Sequence, residues 1–238
     1  MDNAYFITGT DTGVGKTLVS CALLHAFAAL GKSVVGMKPV AAGCEVTPLG
    51  LVCEDVTNLM AASNVNAPRE QVNPYAFAPP LAPHIAAAKA GVVIEIASIC
   101  AAYTALRALA DVVIVEGVGG WRVPLNAHED TADMAKQLGL PVILVVGMRL
   151  GCLNHALLTA QAIDADGLKL AGWVANAIDP LMQAFDENLA ALRSRLTAPL
   201  LGISPYCDAP VFYRDARKTP AFRPGMNSAD TAGALIQF

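Results

Sequence analysis

Residues Gly9–Thr17 read GTDTGVGKT, a glycine-punctuated loop between the apolar run Ala4–Thr8 and the Ala/Leu-rich stretch Lys16–Leu30, which stops at Gly31. A strand that passes through such a loop into a helix points successive backbone N–H groups and the helix N-terminus at one place, and that place attracts an anion. In this context Gly13, Val14, Gly15, Lys16 and Thr17 are expected to wrap the phosphates of a nucleoside triphosphate. Lys16 would reach the β- and γ-phosphates, and the Thr17 hydroxyl would face Mg2+. The standard spacing places a glycine six residues before the lysine, where Thr10 stands here; Gly9 makes the spacing one residue longer. Asp11 lies five residues before Lys16, a position where dimer-switching ATPases carry a second lysine, and its identity argues against that class.

Strand and helix signals alternate beyond the loop. Ser33–Met37, Val112–Val115, Val142–Val146, Leu170–Ala175 and Leu200–Ile203 read as strands, several without polar alternation. Helical patterns cover Asp55–Ser63, His84–Ala90, Glu95–Ala110, Thr131–Leu138, Asn154–Ala165 and Met182–Leu196. Lys38–Gly50 reads as a loop and Asn64–Pro83, with five prolines, as an extended connection. Uninterrupted apolar strands belong in a parallel sheet covered on both faces. The expected fold is therefore a single α/β domain, a mostly parallel doubly wound sheet with helices on both faces. The loops after Thr8, Met37, Val115, Val146, Ala175 and Ile203 then share the carboxyl edge, where such sheets bind ligands. Pro205–Asn227 is polar and Pro-rich, and residues 205–238 receive no assignment.

The chain is 55% hydrophobic, yet its apolar runs Met37–Ala42 and Pro141–Met148 fall short of the roughly 20 residues that span a bilayer. Leu18–Leu30 is interrupted by His25, and no basic stretch precedes the first apolar run, so a cytoplasmic protein without membrane partners is expected. A net charge of −4 gives no electrostatic support for nucleic-acid binding. The six cysteines are scattered without a CxxC pair, which points to reduced thiols rather than disulfides or zinc.

Several side chains are placed by this topology at the ligand edge. Glu116 closes the strand DVVIVE where P-loop proteins put a metal-associated carboxylate, and GVGG follows it. Asp111, at the other end of that strand, is on the wrong edge. Asp55 could approach the same metal or act as a helix N-cap; its spacing allows both. Lys38 follows a buried strand and would add a second cation for a transferring phosphoryl group. Gly151-Cys152-Leu153-Asn154 opens a helix with no acidic first turn, either a carboxylate site or an ordinary turn. His25, His155, Trp121 and Trp173 read as packing or surface residues.

With these motifs in order, the chain resembles dethiobiotin synthetase, the ATP-dependent enzyme of biotin synthesis. The resemblance runs from Tyr5 to about Tyr206 and rests on GTDTGVGKT, KPVAAG, NPYAFAPPLAPH, VEGVGGWRVPL, VILVVGMRLGCLNHALLTAQ, LAGWVAN and PLLGISPY. It implies a ligase that closes the ureido ring of dethiobiotin from 7,8-diaminononanoate and CO2, drawn from bicarbonate, through a phosphorylated carbamate. It further implies that Lys16 and Lys38 are catalytic and that Thr17, Asp55 and Glu116 bind Mg2+. Thr12, Lys38 and Ala42 would contact the substrate, and Gly151, Cys152 and Asn154 would take its carboxylate across a homodimer interface. ATP would be held by Gly13–Thr17, Asp55, Glu116, Gly117, Val118 and Gly119, with Asn176, Ala177, Pro205 and Tyr206 at adenine. Two positions depart from the family pattern. Ala42 replaces a serine, a lost hydrogen bond worth roughly 0.5–1.5 kcal/mol, and Gly13 replaces an acidic residue. The competing readings are another P-loop ligase that activates a carboxylate, like a corrinoid-diamide synthase, or a regulatory or partitioning ATPase.

Overall fold

The computed structural model describes residues 4–48 and 50–206. The described chain alternates as expected: β1 (Ala4–Gly9), α1 (Lys16–Ala29), β2 (Val34–Met37), β3 (Val40–Ala42), β4 (Glu45–Thr47), β5 (Gly50–Val52), α2 (Glu54–Ala62), α3 (Arg69–Val72) and β6 (Tyr75–Phe77). There follow α4 (Pro83–Lys89), α5 (Ile96–Leu109), β7 (Val112–Glu116), α6 (Thr131–Leu138), β8 (Val142–Met148), α7 (Cys152–Ala165), β9 (Leu170–Ala177), α8 (Phe185–Arg195) and β10 (Leu200–Ser204). Six strands form one sheet in the order β10-β9-β8-β1-β7-β2, each neighbouring pair parallel. The fold is the doubly wound α/β arrangement read from the sequence.

The period-2 alternation of strands decides which helices cover which face. Tyr5 and Ile7 of β1, with Val112 and Ile114 of β7, pack against α1 and α2 through Leu23, Leu24 and Leu59. Phe6, Val113 and Val115 point the other way, into a cluster with Ile99 and Leu106 of α5 and Met134 of α6. Farther along the sheet Leu144, Val146, Trp173 and Ala175 pack with α7 and α8. β2 is an edge strand, and the segment after α2 occupies its free side. Asn64 Oδ1 accepts from Val34 N–H at 2.7 Å, and Ser63 Oγ accepts from Gly36 N–H at 2.9 Å. That covers the backbone groups an exposed edge would offer for aggregation.

Two connections depart from expectation. Lys38–Gly50 is not a plain loop: it holds β3 and β4, and β4 pairs with β5 as a hairpin. Asn64–Pro83 is not merely extended, because it contains α3 and β6, and β6 runs parallel to β3 in the register Val40↔Tyr75. This small second sheet joins segments 35 residues apart, a non-local pairing that local composition does not announce. α8 starts at Phe185 rather than Met182, after Ala184 adopts a left-handed φ of 53°. Among the described residues no helix is long and apolar enough to cross a membrane. The described cysteines are free thiols; Cys207 and residues 207–238 of the unassigned segment lie outside the described residues.

Two glycines show where backbone proximity is used. A Cβ on Gly36 would lie 2.9 Å from Leu59 Cβ, inside the packing of α2 on β2. A Cβ on Gly147 would lie 3.0 Å from Val14 Cβ, pressing on the phosphate loop from β8. Both alanine substitutions are expected to cost about 1–3 kcal/mol by overpacking. Only Gly147→Ala should also raise the KM for ATP, which chemical denaturation and steady-state kinetics on the two variants will separate.

Candidate active site

The register of the sheet assembles the site. Met37 pairs with Val115 and Ile7 with Glu116, so the residues that end β2, β1 and β7 emerge side by side at one edge. From β1 the chain enters the phosphate loop, where Gly13 and Gly15 take positive φ values of 73° and 90° and α1 begins at Lys16. Asn176, near the end of β9, donates its amide to Val14 O at 2.8 Å. Its Nδ2 would lie 2.1 Å from any Cβ at residue 15, so only glycine fits there. The second half of the loop thus rests on the Asn176 side chain. The GVGG turn closes in from the β7 side: Gly117 donates to Ile7 O at 2.9 Å, and a Cβ on Gly119 would stand 3.6 Å from Thr12 Oγ1.

Four predicted residues converge. Lys38 Nζ lies 2.6 Å from Glu116 Oε1 and 2.9 Å from Asp55 Oδ2, and donates to Gly117 O at 3.2 Å. Thr17 Oγ1 lies 2.9 Å from both Asp55 Oδ1 and Glu116 Oε1. The N-cap of α2 is Cys53, so Asp55 is not a cap; it reaches the cluster from the first turn. Burial alone would drive the Lys38 pKa down, but Glu116 and Asp55 overcome it and hold the ammonium above the ordinary lysine range. Burial likewise pushes Asp55 up, and Lys38 with the Thr17 hydroxyl outweighs it, leaving the carboxyl below its usual value. The backbone carries Lys38 in place: its N–H donates to Val72 O at 2.8 Å, and Asn73 donates its amide to Lys38 O at 2.6 Å.

The cluster suits a divalent cation. The single Thr17 proton cannot serve two carboxylate acceptors at once, and Glu116 Oε2 is buried with no partner among the described residues. The donors are hard oxygens of the kind Mg2+ takes. Among the described residues no group of three or more His, Cys, Asp or Glu forms a self-sufficient metal site, so an ion here would draw its remaining ligands from nucleotide and water.

Lys16 is in a different electrostatic state. Its ammonium donates to Asp11 O at 3.0 Å, and burial together with the nearby Lys38 charge lowers its pKa to about 8. Asp11 accepts from Thr12 N–H at 2.7 Å and pairs with Arg149 at 2.6 Å, and these, led by the Thr12 bond, hold its carboxyl below the usual range against a small burial effect. Neither this pair nor Asn73 was singled out from sequence. The only signal for Asn73 was its place in the NPYAFAPPLAPH motif, and for Arg149 its place in VILVVGMRLGCLNHALLTAQ.

The remaining predicted residues occupy the same edge but do not join the Lys38 cluster. Ala42 ends β3 opposite Phe77, half-buried. Val118 is half-buried in the turn after β7, Ala177 ends β9, and Pro205 and Tyr206 are exposed just beyond β10. Gly151, at φ 94°, is the N-cap of α7 with no side-chain cap, Cys152 is buried, and Asn154 is exposed in the first turn. Asp111 is at the opposite edge, as expected, where it accepts from the N–H and hydroxyl of Ser33. Trp121 and Trp173 are buried core residues, the former edge-on to Phe6.

A glycine loop, lysine and hydroxyl at the carboxyl edge of a parallel sheet, facing two carboxylates, define a P-loop nucleotide-binding enzyme. A family model for an AAA domain matches residues 3–210. ATP-dependent dethiobiotin synthetase BioD of Nitrosospira multiformis is 62% identical over 206 residues, covering 87% of this chain and 89% of that protein. The enzyme of the same name from Aromatoleum aromaticum is 61% identical over 203 residues, covering 85% and 90%. Among solved structures, MinD of Pyrococcus horikoshii complexed with Mg-ADP matches with a TM-score of 0.52 at 16% identity, over 92% of this chain and 86% of that one. A MinC:MinD complex of Aquifex aeolicus gives 0.53 at 16%, over 92% and 87%. Those two likenesses concern the fold alone. The chain belongs to the dethiobiotin synthetase family, and the corrinoid-diamide-like and partitioning readings fall away.

Lys16 carries a proton-linkage signature. Its pKa near 8 leaves it mostly neutral in the free protein at about pH 9, and a polyphosphate beside it restores the charge. Nucleotide binding at about pH 9 should therefore take up close to one proton per site, falling toward none at about pH 7. Calorimetry in buffers of different ionisation enthalpy measures this; Lys16→Met should abolish the difference, and an unchanged uptake would place the titration elsewhere.

Proposed function

We propose that Gly13–Thr17 hold the phosphates of ATP, that Lys16 and Lys38 are the catalytic cations, and that Thr17, Asp55 and Glu116 hold Mg2+ in a single ligase domain. The reaction is the family's ring closure. One amine of 7,8-diaminononanoate bonds to the carbon of CO2, and the resulting carbamate oxygen attacks the γ-phosphorus as the bond to ADP breaks. The second amine then attacks the carbamoyl carbon, phosphate leaves, and the ureido ring of dethiobiotin is closed.

Such transfers need positioning and charge neutralisation more than covalent catalysis. The observation that carries the reading is Lys38, a buried ammonium between two carboxylates one hydroxyl away from the phosphate loop. It is pre-oriented, so its field acts on a developing phosphoryl charge without reorganisation. Lys16, held among the described residues by a carbonyl, is free to exchange that bond for phosphate and carbamate oxygens. A bound Mg2+ would supply further neutralisation of the triphosphate.

Thr12, which the Gly119 turn approaches, and Ala42 would line the diamine subsite with Lys38. Asn176, Ala177, Pro205 and Tyr206 would lie toward adenine. The α7 start, Gly151, Cys152 and Asn154, would receive the diamine's carboxylate in a partner subunit of a cytoplasmic homodimer. Supporting that interface, Leu150, which immediately precedes this helix start, is 96% exposed, and Leu158 on α7 is exposed as well.

The deciding assay is ADP release by purified protein with MgATP, bicarbonate and 7,8-diaminononanoate. ADP release should require the diamine, and diamine-independent turnover would overturn the ligase reading. A second expectation concerns the metal. Lys38→Met leaves Glu116 and Asp55 without their cation and should destabilise the metal-free protein by about 3–5 kcal/mol. Added Mg2+ should raise the melting temperature of that variant more than that of the wild type; equal shifts would remove the ion from these carboxylates.

A further inference from the structure

Away from Lys38, one ion pair ties the phosphate loop to another part of the sheet edge. Arg149 Nη2 stands 2.6 Å from Asp11 Oδ2, and Arg149 comes from the turn between β8 and α7. The other carboxylate oxygen of Asp11 accepts from Thr12 N–H, while its main-chain carbonyl accepts from the Lys16 ammonium. One residue therefore holds a guanidinium, the amide of Thr12 and the loop lysine together. The preceding residue is also fastened to β8, with Thr10 N–H donating to Val145 O at 3.0 Å and Gly147 N–H to Thr10 Oγ1 at 3.2 Å.

The pair is not there for stability. Its side chains are 48% and 41% exposed, and ion pairs of that exposure contribute about 0–1 kcal/mol. Nor does a carboxylate beside a polyphosphate site make sense alone, since it would repel the ligand. Arg149 cancels that charge and leaves the geometry. We propose that Asp11 and Arg149 form a positioning pair for the ring-closing reaction, in which the guanidinium fixes Asp11 and thereby the placement of Thr12 and the approach of Lys16. The pair rests on the roles given above to Lys16 and Thr12. It binds no reacting atom itself; it acts through those two residues.

Displacing a positioned group by an ångström costs far more in rate than in stability. Asp11→Asn, Arg149→Gln, the double variant, Arg149→Lys and Thr12→Val are to be compared by kcat, KM for ATP and for 7,8-diaminononanoate, ADP binding and thermal melting. Each neutral single variant should lower kcat on the order of tenfold. Melting should shift by no more than about 2 °C, and the dissociation constant of ADP should stay within about twofold, because backbone amides hold its phosphates. The double variant should be no slower than the slower single variant, and Arg149→Lys should recover part of the rate. Losses that multiply in the double variant, or single variants at wild-type rate, overturn the pair. So does a rise in the diamine KM for Arg149→Gln with Asp11→Asn silent, which would make Arg149 a substrate ligand. Thr12→Val at wild-type rate would instead remove the assigned role of Thr12, and the positioning proposal with it. Thr12→Val slow with both single variants fast sinks the pair alone.

Discussion

A lysine ammonium with 4% of its side chain exposed, wedged between Glu116 and Asp55, is the interaction around which the rest of the molecule has to be arranged. An unpaired charge at that depth is prohibitively costly, so its partners must arrive together. They come from separate elements: Lys38 follows β2, Glu116 ends β7, Asp55 opens α2 and Thr17 opens α1. The Met37↔Val115 register makes Lys38 and Glu116 the next pair along two adjacent parallel strands. A slip of one residue between β2 and β7 would turn one of the two to the opposite face and break the pair. Sheet register, α1 placement and α2 placement are thus parts of a single electrostatic condition.

The two lysines hold their protons differently because their surroundings differ. Lys38 has carboxylates within 3 Å, which hold its proton firmly. Lys16, also buried, has a carbonyl as its hydrogen-bond partner and the Lys38 charge nearby, so burial wins and its proton is loosely held. A proton so loosely held makes the charge of Lys16 responsive to an anion brought beside it, whereas that of Lys38 is fixed by its carboxylates.

What the sequence disclosed follows the range of the forces involved. The strands buried on both faces, the phosphate loop and the helices were legible because apolar runs and glycine turns are local signals. Thr17, Asp55, Glu116 and Lys38 were legible as a group because a parallel sheet brings all its carboxyl ends to one edge. The β3–β6 ladder was not, since its members are far apart in sequence and only three residues long. The Asp11–Arg149 pair spans 138 positions, and a lone arginine in a turn after a strand looks like any solvated charge. Asn176 was singled out, but for adenine; that its amide supports the carbonyl of Val14 depends on β9 passing beneath the loop, a tertiary fact.

The structural neighbours sharpen what such a fold leaves open. Two MinD structures overlay most of this chain at 16% identity, so the fold by itself does not separate a ligase from a cell-division protein. The separation is in what the scaffold carries at its edge. Here β3 and β6 pair as a small second sheet, and Val72 and Asn73, which lead into β6, clamp both backbone groups of Lys38. That addition turns a strand-end lysine into a fixed cation facing the phosphate loop. Removing the clamp while keeping every loop residue would leave the phosphate loop without the oriented charge beside it, so the placement of Lys38 depends on Asn73 as the loop depends on its glycines.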